Sequence, residues 1–273
     1  MAMAIITISR GTFSGGNAFA ESLAARLDYP RLGREEAIAE AEKEYGISVD
    51  KLTSALKSPP SVWQQTIGPR IAYLKCLTSA IMEHAQAGNL VYHGYAGHLL
   101  LSGIPHLLRI RVIAGMGLRI QSAMKRMNFT EIEATEYIEK VDKDRGNWTY
   151  FLYGLEWQDP ILYDWVLNLD HISIENACEL VAHRIKCDDF KTTPESQKAF
   201  EDALLSSRVW ATFAKKERTR VASIEVTADS GIVTLSGSLG SQKTLEALLE
   251  TAKEVPGVKS IINQMGIGTD WYW

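Results

Sequence analysis

The pattern of apolar and polar residues predicts that strands and helices alternate along the first 188 residues. Short β-branched apolar runs are typical of buried strands. They fall at residues 4–8, 89–94, 109–114 and 163–168. The segments between them carry apolar residues at helical spacing, as at Phe19, Leu23 and Leu27. Strands and helices that alternate at this length favour an α/β fold, in which helices cover a parallel sheet.

The pattern changes beyond residue 188. Residues 189–197 are polar and contain a proline, which is typical of a linker. Residues 198–268 then predict a helix, a hairpin around Asp229-Ser230-Gly231, a second helix and a last strand, because apolar and polar residues alternate on both sides of that turn. This order is a small α+β module of α-β-β-α-β type. An aromatic tail at 269–273 ends the chain.

Composition and charge narrow the classes of function. A length of 273 residues suggests two domains, and a formal net charge of −4 gives no electrostatic reason to expect nucleic acid as a partner. The three cysteines lack a C-x-x-C pair and are expected to be reduced thiols. The apolar start is too short for a membrane span or a signal-peptide core. We therefore expect a cytoplasmic protein without a transmembrane segment, and self-assembly into a homo-oligomer stays open.

The turn after the first strand carries the first candidate site. Gly11 and Gly16 have the spacing of the phosphate-binding loop G-x-x-x-x-G-K-S/T, but Asn17 stands at the lysine position and Ala18 at the hydroxyl position. Backbone N–H groups at such a turn, together with the helix N-terminus, can hold an anion. The predicted phosphate-binding residues are Arg10, Gly11, Thr12, Ser14, Gly15, Gly16, Asn17 and Ala18. The alternative is a plain strand-to-helix turn.

A helical segment at about 116–157, which begins with a basic helix at 118–127, carries the second candidate site. Thr130 and Glu133 have the spacing of a capping box, which predicts the start of a long helix. Asp142 and Arg145 lie three residues apart on that helix and therefore share a face. The candidate arginines of this segment are Arg119, Arg126 and Arg145. Guanidinium groups suit phosphate geometry, whereas a solvated helix face or a structural ion pair is the alternative.

Four stretches, in order, resemble the cytidylate kinase-like family of phosphate-loop nucleoside monophosphate kinases. They are Ile8 to Gly16 in the glycine-rich turn, Val91 to Gly97, the segment from Leu118 to Arg145, and Asp159 to Asn168. The C-terminal module resembles a BON domain through its hairpin at 231–237 and the Val-Pro-Gly-Val sequence at 255–258.

The first resemblance implies an ATP-dependent phosphotransferase that acts on a nucleoside monophosphate such as CMP, with ATP and Mg²⁺ as cofactors. It implies that the segment at 116–157 is a lid whose arginines Arg119, Arg126 and Arg145 act on the transferred phosphate. It also implies an acceptor site, for which the candidates are Arg34, Arg70, His93 and Tyr95. The resemblance to a BON domain implies contact with a protein or a lipid.

The chain departs from the family pattern at Phe13, Asn17, Ala18, His93 and Tyr95. These departures leave two hypotheses open. One is an active kinase. The other is a catalytically impaired pseudokinase or nucleotide sensor that signals through the BON-like module.

Magnesium is the least supported of the implied cofactors. Ala18 has no oxygen ligand, and histidine at 93 suits Mg²⁺ poorly. Ser14, or the nucleotide and water, would then hold the ion. No protein metal site is predicted, since packing is the expected role of His93 and His98.

Overall fold

The computed structural model describes residues 4–57, 67–94, 96–220 and 224–268, which divide into two compact units. The first unit contains residues 4–36, 56–57 and 84–192, and the second contains residues 37–55, 67–83 and 193–268. Tyr95 and the predicted aromatic tail lie outside the described residues. None of the described helices is both long enough and apolar enough to cross a membrane.

The first unit contains the predicted parallel sheet, which has five strands, one more than the four predicted. Its strands are β1 (Ile5–Arg10), β2 (Arg31–Gly33), β3 (Leu90–His93), β4 (Leu107–Ile113) and β5 (Trp165–Asn168). They are ordered β2-β3-β1-β4-β5, so β1 lies at the centre. The α/β fold expected from alternating strands and helices is therefore confirmed.

Eight α-helices occur in the described residues up to 192. They are α1 (Gly16–Leu27), α2 (Arg34–Tyr45), α3 (Val49–Lys57), α4 (Ile67–Ala85), α5 (Gly97–Leu100), α6 (Met116–Met127), α7 (Glu131–Tyr153) and α8 (Ile174–Arg184). The capping box predicted for Thr130 and Glu133 is present at the start of α7. Ser173 caps α8 through the backbone N–H of Asn176.

The two faces of the sheet differ in chemistry. Ile6 and Ile8 of β1 belong to an apolar core that also contains residues of α1 and α8. Successive strand residues point to opposite faces, so Thr7 and Ser9 lie on the other side. In register with them are Tyr92 of β3 and Arg111 of β4, and all four residues are buried. The carboxyl ends of the central strands therefore carry polar side chains on one face.

The second unit contains the predicted α-β-β-α-β module. Its elements are α9 (Pro194–Lys215), β6 (Ile224–Asp229), β7 (Ile232–Leu239), α10 (Gln242–Lys253) and β8 (Ser260–Ile267). Strands β6 and β7 form the antiparallel hairpin, and β8 pairs parallel to β7. Helix α9 begins at Pro194, inside the segment expected to be a linker, because Thr193 caps it in a capping box with Ser196.

Residues 37–55 and 67–83 group with this module, whereas the sequence-based division assigned them to the first domain. Within the unit, Arg208 of α9 forms a salt bridge with Glu83 of α4, and the Tyr45 hydroxyl donates to Ser79 Oγ at 2.7 Å. The Cys76 thiol donates to the carbonyl oxygen of Ala211 at 3.8 Å. The domain boundary at residue 188 stays a prediction.

Replacing Leu23 by Ala should lower the free energy of unfolding of the first unit by roughly 2–5 kcal/mol, because it leaves a cavity in the core beside α1. Leu23 is fully buried, whereas Leu180 on α8 is 49% exposed. Urea unfolding of Leu23→Ala measures the loss, and Leu180→Ala is the matched control with a clearly smaller effect. Equal losses in both variants would contradict this assignment of the core.

Candidate functional site

The glycine-rich turn joins the end of β1 to the start of α1. Gly15 is the N-cap of α1 with φ of 85°, a left-handed conformation that favours glycine. The Gly11 N–H donates to the carbonyl oxygen of Val112 at 3.2 Å, which ties the turn to β4. Ser14 Oγ lies 2.9 Å from the Gly11 carbonyl oxygen and 3.1 Å from that of Val112. The Ser14 hydroxyl therefore stabilises the turn itself.

The first turn of α1 presents donors to the space above the loop. Gly16, Asn17 and Ala18 begin the helix, and the N–H groups of a first helical turn have no acceptor within the helix. Among the described residues no side chain caps α1, and its first turn contains no acidic residue. The partial positive charge of the helix N-terminus is therefore available to an anion.

Phe13 is the unusual residue of the loop. It adopts φ of 60°, which a residue other than glycine rarely takes and which costs about 1–3 kcal/mol. Its ring packs against the lid helices, 6.1 Å from the Tyr137 ring and against the buried cluster of Ala123, Ala134 and Ile138. The ring thus points into the lid, and the space above the loop stays open.

Asp142 of α7 connects the lid to the loop. Its carboxylate accepts hydrogen bonds from the Thr12 backbone N–H at 3.1 Å and from the Thr12 hydroxyl at 2.6 Å. It also forms a salt bridge with Arg119 and a weaker one with Arg145 at 3.5 Å. Arg119 Nε donates in turn to the Thr12 carbonyl oxygen at 2.7 Å. Two of the three predicted lid arginines, Arg119 and Arg145, are therefore held in place by a carboxylate.

Two cavities are lined in part by the same residues, Arg10 and Arg145. The larger, here called the loop cavity, has a volume of about 290 Å³ and lies between loop residues 10–17 and the lid. Its lid side consists of Ser122, Arg126, Tyr137, Val141 and Arg145. The smaller, here called the arginine cavity, has a volume of about 50 Å³. It is lined by Ser9, Arg10, Arg34, Gly94 and Arg145.

Three arginines thus line the arginine cavity. Burial, followed by the charge of Arg145, lowers the pKa of Arg10 to about 10; the charge of Glu35 opposes this shift, and the charge of Arg34 adds a smaller contribution to it. Arg10 nevertheless stays cationic at neutral pH. Arg145 donates to the Arg10 carbonyl oxygen at 3.0 Å, so a backbone contact keeps the two arginines adjacent. Like charges held this close favour the binding of an anion.

The predicted acceptor residues lie in different places. Arg34 lines the arginine cavity and forms a salt bridge with Glu35. His93 is buried at the end of β3, where its Nε2 lies 2.9 Å from Arg31 and accepts its hydrogen bond. Arg70 lies on α4, in the second unit, where burial lowers its pKa. Tyr95 lies outside the described residues.

A second buried histidine lies on the polar face of the sheet. The His98 ring lies 4.6 Å from the Tyr163 ring, and among the described residues neither of its nitrogens has a hydrogen-bond partner. Burial, followed by the charges of Arg109 and Arg111, lowers the pKa of His98 to about 3. Burial likewise lowers the pKa of His93 to about 4. Both histidines are therefore neutral at neutral pH.

The donors around the loop cavity suit a polyphosphate better than Mg²⁺. Backbone N–H groups and arginines bind phosphate oxygens, whereas Mg²⁺ requires oxygen ligands. Ser14 Oγ is bonded within the loop, Ala18 has no side-chain oxygen, and the Asp142 carboxylate is paired with arginines. Within the described residues, no three His, Cys, Asp or Glu side chains group as metal ligands. The side chains therefore do not fit a Mg²⁺ ion that the protein itself ligates.

Sequence reasoning missed the central position of Asp142 and the part that Tyr137 and Val141 play in the loop cavity. The spacing of Asp142 and Arg145 predicted that they share a face of the helix, and the salt bridge between them confirms this prediction. The contact of Asp142 with Thr12 joins residues 130 positions apart, for which the sequence contains no local signal.

The parallel sheet, the glycine-rich turn and the lid define a phosphate-loop kinase-like fold. Residues 5–171, more than half of the chain, match the model of the cytidylate kinase-like family. The chain therefore belongs to the cytidylate kinase-like family. Residues 201–269 match the model of the BON domain, so the predicted order of the two modules is confirmed.

Comparison with solved structures finds similar chains at low identity. An uncharacterized protein from Eubacterium ventriosum is 19% identical, with a TM-score of 0.53 over 67% of this chain and 98% of its own. Shikimate kinase from Bacteroides thetaiotaomicron is 10% identical, with a TM-score of 0.43 over 68% of this chain and 100% of its own. None of the curated protein sequences compared with this chain matches it. At these identities the first likeness supports the fold alone.

Replacing Asp142 by Asn should loosen the lid, because the two arginines lose their anionic partner. We expect the free energy of unfolding to fall by roughly 1–3 kcal/mol. The Thr12 amide should also exchange its hydrogen faster, since a weaker acceptor protects it less. Urea unfolding measures the first effect and hydrogen exchange the second. The control is Asp144→Asn, which removes one negative charge from the same helix. If the two variants behave alike, Asp142 does not hold the lid.

The buried histidines should make stability depend on pH. The unfolded chain takes up protons near pH 6.5, whereas folded His98 stays neutral down to about pH 3. The free energy of unfolding should therefore fall as the pH falls between these values, by up to about 1.4 kcal/mol per pH unit for this histidine. His98→Phe should remove that part of the slope, and His171→Phe, at an exposed position, should keep it. Urea unfolding at pH 7, 6, 5 and 4 measures the slopes, and an unchanged slope in His98→Phe would contradict the assignment.

Proposed function

We propose that this protein is a nucleotide-binding phosphotransferase that transfers the γ-phosphate of ATP to a nucleoside monophosphate such as CMP. Membership of the cytidylate kinase-like family supports a kinase-like function. The observation that carries the proposal is that Arg10 and Arg145 line both cavities. Phosphoryl transfer requires a donor and an acceptor on either side of the transferred group, with cations beside it.

The loop cavity is assigned to the triphosphate of ATP. The N–H groups of Gly16, Asn17 and Ala18 suit phosphate oxygens, and Arg126 adds a cation from the lid. Gly11, Thr12 and Gly15 shape the loop, and Ser14 holds it to β4. A cavity of about 290 Å³ between loop and lid supports a role in polyphosphate binding rather than a plain turn.

The arginine cavity is assigned to the phosphate of the acceptor. Its volume of about 50 Å³ suffices for a few water molecules or a single oxyanion, not for a nucleoside. Arg34 lines this cavity and does not line the loop cavity. Arg70, His93 and Tyr95 remain candidates for contact with the rest of the acceptor.

Arginines take the place of the usual lysine in this proposal. Arg10 and Arg145, which line both cavities, neutralise the transferred group, while Arg119 keeps Thr12 and Asp142 in position. Charge stabilisation by fixed cations is typically the largest contribution to such catalysis. Because the described side chains do not fit a protein-bound Mg²⁺, the proposal assigns no step to that ion.

A nucleotide sensor is the second candidate function. It is favoured by Asn17 at the lysine position and by the salt bridges of Asp142, which occupy Arg119 and Arg145. In this case nucleotide binds without turnover, and the BON domain transmits the signal through contact with a protein or a lipid.

A coupled assay with ATP, Mg²⁺ and a panel of nucleoside monophosphates tests the proposal. We expect turnover with CMP or a related acceptor, and a loss of about 100-fold or more in Arg145→Ala, since a cation beside the transferred group is removed. Asn17→Lys should raise turnover, because it restores a cation at a position that lines the loop cavity. Lys125→Ala, an exposed lid cation that does not line either cavity, is the control.

Calorimetry with ATP separates the remaining outcomes. Binding of ATP with no turnover in the wild type or in Asn17→Lys would refute the kinase and support the sensor. Failure to bind ATP at all would refute both candidate functions.

A further inference from the structure

The hydroxyl of Tyr92 is a buried donor without a partner. Tyr92 lies on β3, its side chain is fully buried, and Oη has no hydrogen-bond partner among the described residues. A buried hydroxyl without a partner destabilises the folded state, whereas a phenylalanine of the same shape would avoid that penalty. Such a group therefore requires an explanation, and a ligand that supplies the missing acceptor is one.

The position of Oη connects it to the arginine cavity. A Cβ atom added to Gly94, which lines this cavity, would collide with Oη and would lie 2.7 Å from Cζ of the same ring. A ligand oxygen near the place of the missing side chain would thus come within hydrogen-bond distance of Oη. On the other side, a Cβ atom added to Gly97 would lie 2.5 Å from the Tyr92 ring. The two glycines therefore fix the ring directly behind Gly94, the residue that lines the cavity there.

The charges around Oη specify the kind of ligand. Arg10, Arg34 and Arg145 line the cavity beside Gly94, and the charges of Arg34 and Arg10 act on the Tyr92 hydroxyl. Burial outweighs them and raises the pKa of Tyr92 above its usual value, so the phenol stays protonated at neutral pH. A protonated hydroxyl beside three cations is a hydrogen-bond donor that suits an oxyanion.

We propose that Tyr92 Oη donates a hydrogen bond to an oxyanion of the phosphate class in the arginine cavity, together with Arg10, Arg34 and Arg145. The proposal rests on the proposed function only where it identifies this oxyanion as the phosphate of the acceptor. Tyr92 is then a binding residue that the sequence pattern assigns to a buried strand and to no site.

Calorimetric titration of the full chain with inorganic phosphate at low ionic strength tests the proposal. The arginine cavity is identified as the site that Arg34→Ala weakens and Arg126→Ala, a change in the loop cavity alone, leaves intact. At this site we expect Tyr92→Phe to bind phosphate about tenfold more weakly, because one hydrogen bond to a charged group is lost. The melting temperature of ligand-free Tyr92→Phe should equal or exceed that of the wild type, because the unpaired hydroxyl is gone.

Tyr45→Phe is the matched control. Its hydroxyl is bonded to Ser79 in the second unit, so this variant should lose some stability and keep its phosphate affinity. The proposal is overturned if Tyr92→Phe binds phosphate as tightly as the wild type, or if no phosphate site sensitive to Arg34→Ala exists. A wild type that binds phosphate in this way and shows no turnover with ATP would refute the kinase function and leave the role of Tyr92 standing.

Discussion

The contact between the Asp142 carboxylate and the Thr12 backbone is the interaction on which the site depends. A carboxylate has no donor and only accepts hydrogen bonds. Asp142 accepts from one backbone amide, one hydroxyl and two guanidinium groups. It thereby joins the first loop of the sheet to a lid helix 130 residues further along the chain. The contact fixes the positions of Arg119 and Arg145, and Arg145 lines both cavities.

The arrangement of cations differs from that of a loop with a lysine. A lysine side chain is flexible, whereas Arg145 is bonded to the Arg10 carbonyl oxygen and Arg119 to that of Thr12. These two cations are therefore fixed by the backbone of the glycine-rich turn. Such preorganisation favours charge stabilisation, because the groups need little reorganisation when charge develops.

Local signals explain what the sequence could predict. The β-branched run at 4–8, the glycines at 11 and 16, the capping box of Thr130 and the hairpin turn at 229–231 each act over a few residues, and the structure contains all of these elements. The grouping of 37–55 and 67–83 with α9 depends on packing between distant segments. The Tyr92 hydroxyl could not be singled out either, because an apolar run around it is typical of any buried strand.

Phe13 connects the glycine-rich turn to the lid helices through its ring, which a glycine at this position could not do. Its left-handed backbone is strained, and the packing of its ring against Tyr137 and the neighbouring lid residues compensates for that strain. If the lid swings outward, the ring loses this packing and the loop is free to relax to another backbone conformation. An outward movement of α6 and α7 would therefore also change the backbone of the glycine-rich turn, because the Phe13 ring packs against both helices.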